Sequence, residues 1–228
     1  MISFYNSNGG LAFDAEKHNA NNWPLKGSKF TNFEGGIRVN GFVGGGFIAQ
    51  HAPQMVGTTL NGLLHTCDWY ATFCALAGAP VHDERAERAG LPPVDSINMW
   101  PYLSGAVNVS PRTQLYGDVD MVIDGEYKFI AGETKGACWG GPVFPNASTT
   151  LCNATDCAGD GCLYNIYADP EERTNLVHDP QHSERVAALR ALLAQLNVGL
   201  FDPARGKADP LACDRAVQNG NFWGPWVP

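Results

Sequence analysis

The stretch from Asn6 to Arg38 constrains this chain more than any other. An apolar run, Ile2-Ser3-Phe4-Tyr5, stops at Asn6-Ser7-Asn8-Gly9-Gly10. The stretch closes on Asn22-Trp23-Pro24-Leu25-Lys26-Gly27-Ser28-Lys29 and then Glu34-Gly35-Gly36-Ile37-Arg38. A short strand that ends in polar residues and paired glycines suits a place where the backbone approaches a ligand. Amide oxygens at such an end can coordinate a hard cation. Two lysines three residues apart, beside paired glycines, can meet an anion as point charges. The segment thus has the makings of one wall of an anion or metal site. Each feature also has a plainer reading. Asn-Gly-Gly met alone is most often a turn, single lysines are mostly solvated, and Glu34 with Arg38 is more often a local ion pair than chemistry.

The remaining composition narrows the class. A chain of 228 residues can bury a sizeable core as one large domain or two small ones. Charged residues make up 17%, below the usual quarter or so, and 26 glycines with 15 prolines predict much irregular, turn-rich structure. The net charge of −8 and the lack of basic clusters argue against nucleic acid and anionic membrane surfaces as partners. No apolar run is long enough to span a membrane. Three glycosylation sequons start at Asn108, Asn146 and Asn153, and seven cysteines include a cluster at Cys138, Cys152, Cys157 and Cys162. That usage suits an oxidising compartment, the secretory pathway or a lysosome-like one. Zinc is the lesser reading of the cluster, since it contains no Cys-x-x-Cys pair. No signal peptide precedes the first strand-like run, so a chain that has lost its beginning is expected.

Further along, Val39 to Ile48 predicts a buried strand beside a flexible glycine run. Asp68 is expected to cap a helix through about Ala77, with Phe73, Leu76 and Ala77 on one face and Gly78 as the stop. His65, nearest to that helix start, is expected to be a satisfied core histidine. Residues 80 to 98 look loop-like. Leu115–Val119 and Tyr127–Ile130 alternate around Asp124-Gly125, a strong hairpin signal. A disulfide-pinned loop from Cys138 to Cys162, a strand over Leu163–Ala168 and a helix capped by Ser183 follow. In that helix Val186, Leu189, Leu192, Leu193 and Leu196 form an apolar stripe.

These motifs, in this order, closely resemble the sulfatase family of the alkaline-phosphatase-like superfamily. There a strand ends in Ser-Asp-Asn-Gly-Gly, and a Leu-(Arg/Lys)-Gly-x-Lys loop leads into Glu-Gly-Gly-(Ile/Val)-Arg. His65-Thr66-Cys67-Asp68-Trp69 is similar to the family's His-x-Ser-Asp-Trp, and Asp169-Pro170-Glu171-Glu172-Arg173-Thr174-Asn175-Leu176 to its Asp-Pro-x-Glu-x-x-Asn-Leu. Cys213-Asp214 with Trp223-Gly224-Pro225-Trp226 resembles the end of arylsulfatase B-like enzymes. The resemblance implies an α/β alkaline-phosphatase-like sulfatase fold, of which only the C-terminal part is present. Residues 1–108 would be the end of the large mixed-sheet catalytic domain. Met99–Gly105 would be the short helix before a boundary near 105–112. Residues 109–228 would be a small antiparallel sheet with one helix, 183–197, packed on it.

By motif position the resemblance makes Lys29 the catalytic-site lysine that holds a sulfate oxygen, and Asn8 a ligand of Ca²⁺. Ser7 stands where the family has an aspartate ligand, so calcium binding is expected to be weak or absent. Lys29, among small neighbours, is expected to make a buried approach to the oxyanion, while Lys26 extends into solvent. The family's nucleophile is a formylglycine made within Cys/Ser-x-Pro-Ser-Arg, and no cysteine here is followed by x-Pro. Ser110-Pro111-Arg112 is a decoy of that motif. The resemblance therefore implies an arylsulfatase-type hydrolase of sulfate esters, on sulfated glycans in particular, whose missing N-terminal half would be its partner. The alternatives are a non-enzymatic secreted glycoprotein that binds sulfated glycan or a protein partner, and a phosphate-ester hydrolase of the same superfamily. In arylsulfatase B-like proteins the cysteine at the position of Cys213 is bonded to the N-terminal half, so here it is expected to be a free thiol. Cys138 is expected to pair within 152–162.

Overall fold

A computed structural model describes residues 1–12, 20–141, 152, 154–200 and 209–226. It divides into two compact units, Met1–Gln195 and Leu196–Pro228. The sequons at Asn146 and Asn153 lie outside the described residues.

The first unit opens with β1 (Ile2–Tyr5), which pairs antiparallel with β2 (Gly41–Gly44), so that Phe4 lies opposite Phe42. The turn helix α1 (Glu34–Ile37) lies between them in sequence, and α2 (Gly46–His51) follows. The strand expected at Val39–Ile48 exists, but it is not buried. Phe42 is 59% exposed and Ile2 66%, because β1 and β2 form a sheet of only two strands and their rings stack on each other at 5.0 Å instead of entering a core.

α3 (Asp68–Ala77) runs as its sequence predicts and ends at Gly78, whose φ of 66° is the left-handed conformation that closes a helix. Its buried face differs from the expected one: Asp68, Trp69, Ala71 and Thr72 point inward, while Phe73 is exposed. Asp68 does not cap its own helix. Its carboxylate is fully buried and accepts the His65 N–H (2.8 Å), the Ile97 N–H (2.9 Å) and Nε of Arg112 (2.7 Å). Burial would raise this carboxyl, but the Arg112 guanidinium and the two backbone N–H groups hold it below its ordinary value. Arg112, the end of the decoy motif, is thus a structural counter-ion. Ser110 is equally committed, donating its hydroxyl to the Leu63 carbonyl at 2.6 Å. His65 is half-buried and satisfied, with Nδ1 2.9 Å from the Cys67 sulfur.

Residues 80–98 are not wholly loop. α4 (Glu84–Arg88) forms there because Asp83 accepts the N–H groups of Arg85 and Ala86. α5 (Trp100–Leu103) is the short helix anticipated over Met99–Gly105.

The second sheet has four antiparallel strands in the order β3 (Gln114–Asp118), β4 (Met121–Asp124), β5 (Tyr127–Ile130), β8 (Cys162–Asn165), and β6 (Thr134–Lys135) pairs with β7 (Thr155–Asp156). The hairpin around Asp124-Gly125 is present, but its first arm is β4, which the sequence reading passed over. β3 pairs with the other edge of β4, with an irregularity between Tyr116 and Asp118. Met-Val-Ile is apolar throughout and carries no alternation to mark it as a strand, since all three residues are buried.

The core gathers Phe33, Met121, Ile123, Ile130, Tyr164 and Ile166. α6 (Ser183–Asn197) lies on the sheet with Leu189 and Leu193 buried, the centre of the anticipated stripe. Arg185 stacks over Tyr127 and Arg190 over Phe129. Ser183 donates its hydroxyl to the Pro180 carbonyl instead of capping, and Asp179 caps the turn before it. The Cys138–Cys152 and Cys157–Cys162 disulfides confirm that Cys138 pairs within the cluster.

The second unit contains α7 (Leu211–Gln218), which the sequence reading missed, with no fully buried residue. Cys213 there is an exposed free thiol, as expected, and the Trp226 indole donates to Asp209 at 3.0 Å.

Candidate functional site

The Asn6–Arg38 stretch folds back on itself. Gly9 donates to the Gly36 carbonyl at 2.8 Å, and Lys29 donates its backbone N–H to the Gly10 carbonyl at 3.1 Å. The glycines are required by the closeness of these backbones. A Cβ at Gly9 would lie 1.7 Å from the Gly35 carbonyl oxygen, and one at Gly35 would lie 2.5 Å from that of Lys26. Asn22 clamps the same junction, its side chain both accepting from and donating to Gly10. The turn at Asn8, the lysine loop and the Glu-Gly-Gly turn are therefore one packed assembly. It borders an open cleft of about 1410 Å³ whose wall includes Ser7, Asn8, Phe30, Arg38 and Trp69.

The two lysines have opposite fates, and the expectation for Lys26 is overturned. Lys26 is 2% exposed. Its ammonium donates to Asp156 at 2.7 Å and Tyr164 at 3.2 Å, and it lies over the rings of Phe33 (4.3 Å), Trp139 (4.9 Å) and Tyr164 (5.4 Å). Burial would raise the Asp156 carboxyl, but the Lys26 bond outweighs it and holds the group below its ordinary value. Nothing in the local sequence shows this, because Trp139, Asp156 and Tyr164 lie about 110 to 140 positions away. Lys29 is half-buried, with its ammonium 5.2 Å from the Phe30 ring and no carboxylate partner among the described residues.

Glu34 is likewise more than a local partner of Arg38, from which it is 3.7 Å. It meets the fully buried Lys128 at 2.9 Å, and Lys128 meets Glu172 at 2.6 Å. Glu172 also accepts the Glu34 N–H. Burial, against the pull of Lys128, raises the Glu172 carboxyl. This cluster fastens the Glu-Gly-Gly turn to β5 and to the Asp-Pro-x-Glu segment. The sequence signal for it was Lys128, a charge placed within a strand whose neighbours Phe129 and Ile130 are both core.

The metal reading fares poorly on the residues present. Ser7 and Asn8 are exposed, bonded to each other at 3.2 Å, and offer only neutral oxygens, whereas calcium takes six to eight oxygens with carboxylates among them. Among the described residues the one grouping of three potential metal ligands is Asp156, Cys157 and Cys162. Its sulfurs are bonded to each other and its carboxylate is taken by Lys26, so it suits neither calcium nor zinc.

The fold is similar to part of that of solved sulfatase structures, which have the alkaline-phosphatase-like fold. A Bacteroides thetaiotaomicron protein of multiple-glycosaminoglycan metabolism superposes with a TM-score of 0.58 at 22% identity, over 86% of this chain and 38% of its own. The PsFucS1 sulfatase from Pseudoalteromonas sp. superposes with a TM-score of 0.54 at 21% identity, over 85% of this chain and 37% of its own. In sequence the chain is similar to Arylsulfatase J of Mus musculus, 29% identical over 90% of this chain and 36% of the relative. It is also similar to Steryl-sulfatase of Homo sapiens, 25% identical over 93% and 35% respectively. No protein-family model matches. The resemblance to the C-terminal part of sulfatases that the motifs carry is thus borne out, and the chain spans about a third of the length of the curated relatives it matches. Among the described residues no helix is long and apolar enough to cross a membrane.

Proposed function

We propose that this chain is the C-terminal part of an arylsulfatase-type hydrolase of sulfate esters, in which Lys29 holds one oxygen of the sulfate. The observation that carries this reading is the bond from the Lys29 amide to Gly10, which ties a lysine with no carboxylate partner among the described residues to the Asn8 turn. Lys29 would donate a charge-assisted hydrogen bond to the anion, worth roughly 1.5–3 kcal/mol. Lys26 holds the loop in place through Asp156 and its aromatic neighbours. No step is assigned to calcium, for which Ser7 and Asn8 are too few and uncharged. We take 1–108 as the end of the catalytic domain and 109–228 as the C-terminal subdomain. The rest of a sulfatase would be its partner, supplying the nucleophile and covering the exposed apolar face of β1 and β2. Sulfated glycans are the substrate class we favour, and the secretory pathway the location, in keeping with the disulfides and with an exposed Asn108 sequon.

A second reading, a non-enzymatic sulfatase-like glycoprotein that binds sulfated glycan, is favoured by the serine at position 7. Two measurements on the purified chain test what these readings share, an incomplete site and a sulfate contact at Lys29. With a chromogenic aryl sulfate and Ca²⁺ the chain alone is expected to stay at background. Turnover at ordinary enzyme rates, about 1 to 10³ per second, would sink the incomplete-site reading. In a sulfate titration followed by NMR, Lys29→Ala should weaken binding by about tenfold or more, and equal affinity in parent and variant would remove Lys29 from the site. A longer transcript that encodes the nucleophile motif would favour the enzyme over the binding protein.

A further inference from the structure

The two chain segments that meet at the Asn8 turn also bring a cation to it. Asn6 donates its N–H to the Asn40 carbonyl at 3.2 Å, and Gly9 donates to the Gly36 carbonyl at 2.8 Å. Between these bonds stand Ser7 and Asn8 on one segment and Ile37, Arg38 and Val39 on the other. Ser7, Asn8 and Arg38 are all exposed and line the same cleft. Arg38 is fixed at its backbone, whose N–H donates to the Glu34 carbonyl at 2.8 Å. Its guanidinium has five N–H donors, and none of them meets a hydrogen-bond acceptor among the described residues. Its ion-pair partner Glu34, 3.7 Å away, has a side chain only 4% exposed and already bonded to the buried Lys128 at 2.9 Å. The turn is itself rich in donors. Asn8 gives one amide proton to the Ser7 oxygen at 3.2 Å, which leaves its second amide proton and the Ser7 hydroxyl proton for a ligand. A guanidinium among neutral donors repels a cation and attracts an anion.

We propose that Arg38, Ser7 and Asn8 form an anion site in which the Arg38 guanidinium, and not a bound metal ion, neutralises the charge of a sulfate group. The inference rests on the reading of the Asn8 turn as facing a sulfate ester, and it gives Arg38 a role separate from that of Lys29. A planar guanidinium offers parallel N–H bonds that match two oxygens of an oxyanion. The Ser7 hydroxyl and the Asn8 amide stand beside it as donors to the remaining oxygens. Serine at position 7 is what permits this arrangement. A carboxylate there would pair with Arg38 and repel the sulfate. The substitution that makes the turn unsuited to calcium therefore suits it to the anion, and the same neutral oxygens account for both. The long contact to Glu34 leaves the guanidinium able to turn to a ligand, while the backbone bond keeps it at the turn.

The test is an NMR titration of the 228-residue chain with inorganic sulfate at constant ionic strength, in Ca²⁺ and in EDTA, followed at the Arg38 Nε–H and the Asn8 side-chain amide. Sulfate should shift both signals in the parent, with an affinity that differs by less than about twofold between Ca²⁺ and EDTA. The Arg38 signal of the parent keeps the test independent of how well any variant folds. Arg38→Gln should weaken binding by about tenfold or more. Arg38→Lys should restore only part of that loss, since an ammonium keeps the charge but not the fork. Ser7→Asp should also weaken binding in EDTA, which a purely structural Arg38 would not produce. Unchanged affinity in Arg38→Gln, or an Arg38 signal that does not move, overturns the site, and Lys29 then stands or falls on Lys29→Ala alone. A loss in Arg38→Gln with none in Lys29→Ala keeps Arg38 and removes Lys29. Sulfate binding that requires Ca²⁺ overturns the proposal in favour of a metal site, and sulfate that fails to bind the parent overturns both readings.

Discussion

Lys26 and Lys29 are near neighbours of the same chemical type, and the surroundings alone give them different work. Lys26 is enclosed by three aromatic rings and ends on Asp156, so its charge is compensated where water is scarce. Removing one partner of a buried ion pair leaves an uncompensated charge, but Asp156 keeps 38% of its side-chain surface in solvent, which reduces the cost. Lys26→Met should therefore lower the unfolding free energy by about 1–3 kcal/mol, and Lys29→Met should stay within about 0.5 kcal/mol of the parent. Urea denaturation measures both. A larger loss at Lys29 would mean that the buried lysine does not secure the loop.

Among the elements, α1 is the junction. A four-residue helix has little stability of its own, and this one is held by Glu34, Lys128 and Glu172 from three different parts of the chain. Lys128, Glu34 and, more distantly, Tyr164 face the Glu172 carboxyl. Because burial raises that carboxyl above 4.5, the folded chain binds its proton more tightly than the unfolded chain. The contribution to stability is fully present below about 4.5 and is lost as pH rises through the folded value. Asp68 and Asp156 behave in the opposite sense. Their carboxyls lie below 3.8 when folded, so their contribution is present above 3.8 and is lost on acidification. Glu172→Gln should thus make the chain gain stability relative to the parent as pH rises from about 4.5 to 7. Urea midpoints of the two proteins at several pH values follow this. A stability difference that does not change with pH refutes the assignment of the buried proton to Glu172.

At the scale of the whole molecule, the chain holds one well-packed core around the four-stranded sheet, and an apolar face on β1 and β2 that nothing in the described residues covers. Its three free cysteines differ in reactivity for structural reasons. Cys213 is exposed on α7, while burial and the neighbouring Asp68 push the Cys67 thiol up to about 11. The thiolate is the reactive species. Alkylation of the native protein near pH 8, followed by peptide mapping without reductant, should therefore modify Cys213 first and Cys67 last. Recovery of Cys213 in an intramolecular disulfide, or faster labelling of Cys67, contradicts this.

The sequence by itself determined what depends on neighbours along the chain. Asn-Gly-Gly after an apolar run marked the end of β1, Gly78 marked the stop of α3, and the 3-6-7-10 spacing of leucines marked the inner side of α6. The motif order pointed to the sulfatase fold, and Cys138 was placed in the right cluster. The tertiary structure decided whatever depends on partners far apart in sequence. Lys26 lies inside because Asp156 and Trp139 meet it there. Asp68 holds Arg112 across 44 positions instead of capping its helix. Glu34 is part of a buried charge cluster and not just half of a local pair, and β2 is exposed because its sheet has two strands. Local pattern fixes backbone conformation and the apolar periodicity of each segment. The burial of a charge depends on whether the fold delivers a counter-charge to it, and no spacing within one segment carries that information.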